Sequence, residues 1–236
     1  MTASARARLR TGTAVAVVAV LAVAGPLVRP PWWVRGLTGV ALLAAARLSG
    51  LGWPELGLGR DRLAAGCRWA LGAVGVVGAV YAVGVLVPPT RPAFLDDRYD
   101  LPLPGVLAKA LLSIPLGTVV LEEAAFRSVL WAALARHCRP WQVPVTTAVL
   151  FGLWHVPTVL AAADDAGGFP AGVVAGTVAV TTAGGLVFGE LRRRSGSVVA
   201  AAGAHWATNA LGVLLGLLAR RLDAAAGGSP GLVPGG

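Results

Sequence analysis

Most of this chain consists of apolar stretches long enough to cross a lipid bilayer. Of its 236 residues, 56% are hydrophobic, and a membrane-spanning helix needs about 20 mostly apolar residues. Because a backbone embedded in lipid must satisfy its own hydrogen bonds, these stretches are expected to be helical. The sequence therefore predicts an all-α, polytopic transmembrane helix bundle of seven to eight spans, the higher number applying if the long fourth span is divided. The candidate spans are Thr11–Val28, Gly36–Leu51, Leu63–Pro88, Gly105–His137, Val143–Ala163, Ala171–Glu190 and Ser197–Leu218.

Arginine-rich segments flank these spans and predict their orientation. They all fall on one side of the bundle if the N-terminus is cytoplasmic, as the positive-inside rule requires. The formal charge of +9 then indicates topology and contact with anionic lipid. We predict a multi-pass cell-membrane protein that contacts the lipid bilayer and binds no nucleic acid, because no basic patch is interleaved with aromatic residues. The arginines are Arg6, Arg8, Arg10, Arg47, Arg60, Arg62, Arg136, Arg139, Arg192, Arg193 and Arg194.

The N-terminus allows a second interpretation. The basic segment Arg6–Arg10, an apolar run and the sequence Ala22-Val23-Ala24 also fit a signal peptide with its cleavage site. Cleavage there would leave the predicted topology of the remaining spans unchanged. The two cysteines, Cys67 and Cys138, provide neither a disulfide framework nor a metal-ligand pair.

A few polar side chains are isolated inside the apolar stretches. They are Glu122, Glu123 and Arg127 in the fourth span, His155 in the fifth, and His205 and Asn209 in the last. An ionisable group there costs several kcal/mol, which makes it a functional candidate by default. Counting from the cytoplasmic helix ends at about 1.5 Å per residue places the three groups roughly 16 to 22 Å deep. We therefore predict one shared site, open to the cytoplasm.

Each of these groups also has a structural interpretation. Glu123 and Arg127 are four residues apart and meet on one helix face, and structural pairing is favoured because a buried arginine requires a partner. Glu122 is rotated by about 100° from Glu123, has no local partner, and is the better catalytic candidate. His155, or His205 with Asn209, would serve equally well as hydrogen-bonding residues between helices.

The three motifs together, in this order, resemble the CPBP family, also called Abi or the CAAX-protease and bacteriocin-processing family. The resemblance extends over about Pro104–Leu215 and includes the stretch Gly185–Ser197. The family often has glycine after the motif arginine, where Ser128 stands here. We accordingly expect N-terminal helices and a loop over 1–103, a catalytic core over 104–218 and a disordered tail over 219–236. The matching motifs are Glu122-Glu123-Ala-Ala-Phe-Arg127, Phe151-Gly-Leu-Trp-His155 and His205-Trp-Ala-Thr-Asn209.

The resemblance implies an intramembrane endopeptidase. It implies that Glu122 and His155 activate the attacking water and that Glu123 and Arg127 support the site. It also implies that His205 and Asn209 stabilise the oxyanion or organise the site. Amide hydrolysis does need a base for water and donors for the developing oxyanion. Two histidines and one glutamate also match catalytic zinc ligation, so Glu122, His155 and His205 are candidate Zn2+ ligands, although metal-free activation by Glu122 is favoured.

The substrate and the function class stay partly open. The best-known members of this family remove the last three residues of prenylated CAAX proteins, but prenylation is eukaryotic, and this Ala/Gly/Arg-rich chain with one lysine looks like a high-GC bacterial product. We expect a membrane-associated or lipidated peptide or protein as substrate. The alternatives are a proton- or ion-coupled transporter, in which buried Glu and His form an ion path, and a non-catalytic bacteriocin immunity protein.

Overall fold

The computed structural model describes residues 12–14, 16–17, 20–21, 30–96, 100–164 and 171–227, and within these ranges it contains helices and loops but no strand. The predicted all-α class is confirmed. The last helix of the described chain, α7, consists of Val198–Trp206, a π-helical segment Ala207–Leu211 and Gly212–Gly227. A 3-10 helix over Pro88–Phe94 follows α2. The other helices are α1 Trp32–Leu48, α2 Arg60–Leu86, α3 Leu103–Ala135, α4 Gln142–Trp154, α5 Val156–Asp164 and α6 Ala171–Ser195.

Five helical stretches in the described part of the chain are long and apolar enough to cross a membrane. They correspond to the third to seventh predicted spans. The second predicted span, Gly36–Leu51, corresponds to α1, which has 17 residues and is not among the five. The first, Thr11–Val28, lies largely outside the described residues, as does Ala22-Val23-Ala24, so the count of seven to eight is not confirmed. The five are Arg60–Leu86, Leu103–Ala135, Gln142–Ala162, Ala171–Ser195 and Val198–Ala225.

Helix α3 runs as one continuous helix of 33 residues, so the predicted fourth span is not divided. It is π-helical over Lys109–Val119, which contains Pro115, and again over Ala124–Leu130. One short α-helical segment, Val120–Glu123, lies between them and carries both glutamates. Since π-helical segments are rare and concentrate at functional sites, α3 is the element around which a site is expected.

The core lies where α3 meets α4, α6 and α7. Phe126 from α3, Phe151 from α4 and Phe188 from α6 bring aromatic rings into this cluster, while α7 presents Ala201 and Ala204. The small α7 side chains leave room for the rings, so burial of apolar surface fixes how the four helices pack. Three polar residues of the motifs contact these rings: Arg127 and His155 contact Phe151, and His205 stacks on Phe188.

Two local features set the position and length of α7. Gly196, with φ of 69°, makes the turn out of α6, and Ser197 caps α7 by accepting a hydrogen bond from the backbone N–H of Val199. The helix then continues to Gly227. The part of the predicted disordered tail 219–236 up to Gly227 is therefore helical, and 228–236 lie outside the described residues.

Candidate active site

Glu123, Arg127 and His205 form a buried set of hydrogen bonds between α3 and α7. Arg127 Nη1 donates to Glu123 Oε1 at 3.3 Å, and His205 Nδ1 lies 2.9 Å from the same oxygen. Because a carboxylate oxygen accepts, Nδ1 donates, and a neutral ring then has its lone pair on Nε2. The side chains of Arg127, Glu123 and His205 are only 0, 3 and 4% exposed. The predicted ion pair is present, and it also holds His205.

The guanidinium of Arg127 contacts a backbone carbonyl and aromatic rings of two other helices, α4 and α6. Its Nη2 donates to the carbonyl oxygen of Gly185 on α6 at 3.2 Å. Its Cζ lies 4.2 Å from the ring centroid of Phe151 and 5.2 Å from that of Phe188. Contacts of a cation with aromatic faces compensate part of its lost hydration. Arg127 therefore joins α3, α4 and α6 beneath the glutamates.

Glu122 and Glu123 each have one buried carboxylate oxygen without a hydrogen-bond partner among the described residues, and they differ in what surrounds their two oxygens. Trp154 Nε1 donates to Glu122 Oε1 at 3.3 Å, and Arg35 Nη2 lies 3.6 Å from the same atom. Among the described residues, Glu122 Oε2 has no hydrogen-bond partner, and His205 Nε2 lies 3.6 Å from it. A buried carboxylate oxygen without a partner is uncommon and calls for a functional explanation.

His155 lies at the break between α4 and α5. The α-helix ends at Trp154, His155 is its C-terminal cap, and Pro157 follows in the first turn of α5. Proline lacks an N–H and removes one helical hydrogen bond here, which favours the break between α4 and α5. The Nδ1 of His155 lies 2.8 Å from the carbonyl oxygen of Phe151, and since a carbonyl only accepts, Nδ1 donates. The neutral ring therefore has its Nε2 lone pair available.

Asn209 lies within the π-helical segment of α7, and its side chain is exposed. The structure thus brings Glu122, Glu123, Arg127 and His205 together in a buried group, whereas Asn209 is exposed. Two neighbours hold this segment. Tyr81 on α2 donates a hydrogen bond to the carbonyl oxygen of Thr208 at 3.0 Å, and Trp206 Nε1 donates to the carbonyl oxygen of Ala110 at 2.9 Å.

The candidate zinc ligands do not form a complete metal site. No group of three or more His, Cys, Asp or Glu side chains among the described residues is arranged to hold a metal ion. Glu122 Oε2 and His205 Nε2 do face each other, but structural and catalytic zinc sites need at least three protein ligands. The set Glu122, His155 and His205 therefore does not fit a zinc ion in this arrangement.

Three contributing residues were missed by sequence reasoning. Trp154 lies inside the second motif and supplies the N–H for Glu122. A tryptophan inside an apolar helix is a usable signal, since its N–H needs a partner. Arg192 was interpreted as a topology charge only, and Arg35 was not singled out as a site residue. Arg192 is in fact buried, donating from Nε to the carbonyl oxygen of Arg127 and from Nη2 to that of Glu55.

One comparison identifies a family for the part of the chain that contains this site. Residues 104–211 match a family described as Type II CAAX prenyl endopeptidase Rce1-like, within the predicted core 104–218. This match supports the resemblance to the CAAX-protease, or CPBP, family, and the description of the matched family names an endopeptidase. With five apolar helices of spanning length, the chain is a multi-pass membrane protein. Searches of curated proteins and of solved structures found no match.

Proposed function

We propose that this protein is an intramembrane endopeptidase that hydrolyses a peptide bond in a membrane-associated or lipidated peptide or protein. The observation that carries the proposal is that only one of the two carboxylate oxygens of Glu122 accepts a hydrogen bond. Its Oε1 is bound by Trp154, whereas its buried Oε2 has no hydrogen-bond partner in the described part of the chain and faces His205. A general base for water requires an oriented carboxylate with one oxygen free to accept the proton.

In the proposed reaction, a water molecule donates a hydrogen bond to Glu122 Oε2 beside the scissile carbonyl. Glu122 takes the proton as the water oxygen attacks the carbonyl carbon, and it returns the proton to the leaving amine. His155 assists through Nε2, which accepts the second hydrogen of the water while Nδ1 donates to the Phe151 carbonyl oxygen. The chemistry needs only residues of this chain, and no step is assigned to a metal.

His205 and Asn209 are proposed to stabilise the oxyanion or to organise the site. His205 can donate to an oxyanion only when Nε2 carries a proton, so the ring must then be positively charged. The carboxylate of Glu123 on the opposite ring nitrogen compensates that charge, and Arg127 holds Glu123 in place. The exposed Asn209 would reach the substrate by its amide donor.

The substrate class follows from the family and from the surroundings of the site. The matched family acts on CAAX prenyl proteins by its description, which supports a membrane-associated protein substrate for this chain. We propose that the N-terminus is cytoplasmic, so that the site opens to the cytoplasm. The transporter and the immunity protein are the outcomes to be distinguished by experiment.

The test is cleavage by purified protein in liposomes, read by mass spectrometry. Substrates are a farnesylated C-terminal peptide, its unprenylated form, an N-terminally acylated peptide and a single-span peptide. We expect the wild type to cleave at least one, Glu122→Gln to lose at least about 100-fold in rate, and His155→Ala to lose activity as well. Glu190→Gln, which removes an exposed carboxylate at the end of α6, is the matched control and should cleave normally.

Three further outcomes decide between the alternatives. Cleavage unchanged by both Glu122→Gln and His155→Ala would overturn the proposal. Proton flux that needs no peptide and is abolished by Glu122→Gln would indicate a transporter. We expect activity to persist in excess chelator, because no three-ligand group is assembled in the described residues; loss of activity that returns with added zinc would instead show metal dependence.

A further inference from the structure

We propose that Arg35 on α1 is a positioning residue for Glu122, so that the active site extends beyond the segment that matches the family. This inference rests on the proposed function. Its starting point is the ion pair between Arg35 Nη2 and Glu122 Oε1, which are 3.6 Å apart. Residues 104–211 match the family, whereas α1 covers Trp32–Leu48. A helix outside the matched segment therefore supplies a charged group to the proposed base.

The close packing of α1 on α3 is what brings Arg35 to Glu122. A Cβ atom at Gly36 would lie 2.5 Å from the carbonyl oxygen of Leu116, and one at Gly39 would lie 2.9 Å from that of Val120. On the other side, a Cβ at Gly117 would lie 2.8 Å from the Cβ of Trp32. Small residues at such contacts let two helix backbones approach closely in a membrane. Gly36, the neighbour of Arg35, lies at the tightest of these contacts.

The two partners of Glu122 Oε1 come from two different helices, α4 and α1. Trp154 reaches it from the end of α4 with a neutral N–H, and Arg35 reaches it from α1 with a positive charge. Together they hold one carboxylate oxygen, which leaves Oε2 directed at His205 Nε2. Glu122 is itself nearly fully buried, whereas the side chain of Arg35 is 35% exposed. The cation thus sits at the rim of the site and acts on the reaction through Glu122.

A positioning role makes a specific kinetic prediction. Misplacement of a reacting group by about 1 Å can cost on the order of 100-fold in rate. Arg35→Gln should lower kcat by about 10- to 100-fold and change KM by less than about threefold, because the group it orients is not a binding group. Arg35→Lys should recover part of kcat, since it keeps the charge but not the planar guanidinium.

Two matched controls accompany these variants. Arg47→Gln removes the same charge from the other end of α1, where Arg47 bonds the carbonyl oxygen of Leu51 and packs over Trp53, and it should leave kcat near the wild-type value. Gly36→Ala should push α1 off α3 and lower kcat as Arg35→Gln does. Gly72→Ala on α2, where a Cβ would meet nothing within 4 Å, should have no effect.

The outcomes separate this inference from the proposed function. If Glu122→Gln is inactive and Arg35→Gln has the wild-type kcat, the role of Arg35 is overturned and the endopeptidase stands. If Glu122→Gln cleaves like the wild type, the proposed function fails first. Thermal unfolding of Arg35→Gln, Glu122→Gln and the double variant tests the contact without any substrate. Non-additive shifts of the midpoint are expected, and additive shifts would overturn the coupling between the two residues.

Discussion

Two ion pairs in this protein have the same sequence spacing and opposite surroundings. Glu123 and Arg127 pair within α3 at 3.3 Å, with side chains 3 and 0% exposed. Glu190 and Arg194 pair at the end of α6, with side chains 39 and 56% exposed. Both pairs are four residues apart on a helix. Spacing alone therefore says that a pair forms but says nothing about what it does.

The difference lies in what else surrounds each pair. Around Glu123 and Arg127, three further groups from other helices complete the contacts, namely His205, the Gly185 carbonyl oxygen and the Phe151 ring. Around Glu190, the contacts are with Arg193 and Arg194 on the same helix. Breaking a buried pair leaves an uncompensated charge in a medium that cannot solvate it, whereas water replaces the partner at an exposed pair.

The largest effect on stability is expected from Arg127→Gln. It leaves Glu123 charged and buried, which should cost about 3–5 kcal/mol in free energy of unfolding. Denaturant-induced unfolding in detergent, followed by tryptophan fluorescence, measures this loss. Arg127→Lys should recover only part of it, because a lysine lacks the planar guanidinium whose two Nη atoms bond Glu123 and Gly185. Stability equal to the wild type in Arg127→Gln would contradict the view that this pair supports the fold.

A smaller effect is expected from Glu123→Gln. The glutamine oxygen still accepts from Arg127, and the aromatic rings still cover the guanidinium, so we expect a loss of about 2 kcal/mol, in the range of a hydrogen bond to a charged group. Cleavage should fall as well, since Glu123 holds His205 through Nδ1. If Glu123→Gln lost stability but cleaved at the wild-type rate, Glu123 would be purely structural, and its proposed role in catalysis would be contradicted.

The smallest effect is expected from Arg194→Gln. The variant removes the arginine of an exposed pair with the same spacing, and Arg193 still contacts Glu190. We expect an unfolding midpoint and a cleavage rate that match the wild type within experimental scatter, because exposed ion pairs contribute little. A clear loss of activity here would show that the end of α6 takes part in substrate contact. The exposed pair would then also have a functional role, as the buried pair does.

The sequence predicted the class of the fold and the pairing of Glu123 with Arg127 because both depend on local signals. Apolar length marked the third to seventh spans to within a few residues at most ends, and helix periodicity paired Glu123 with Arg127. Separation of Glu122 from Glu123 by rotation about the helix also agrees with their different partners. Arg35 and Arg192 were missed because an arginine near a helix end looks the same in sequence whether it faces water or a neighbouring helix.

Chain composition determined the all-α membrane fold, since an apolar backbone segment in lipid must be helical. Motif order predicted the family that residues 104–211 match. The tertiary structure alone decided how the isolated polar residues are partnered. It brought His205 between two adjacent glutamates, put Trp154 and Arg35 on one oxygen of Glu122 and left the other without a partner. Those contacts join helices far apart in the chain, and they depend on close packing that no local pattern encodes.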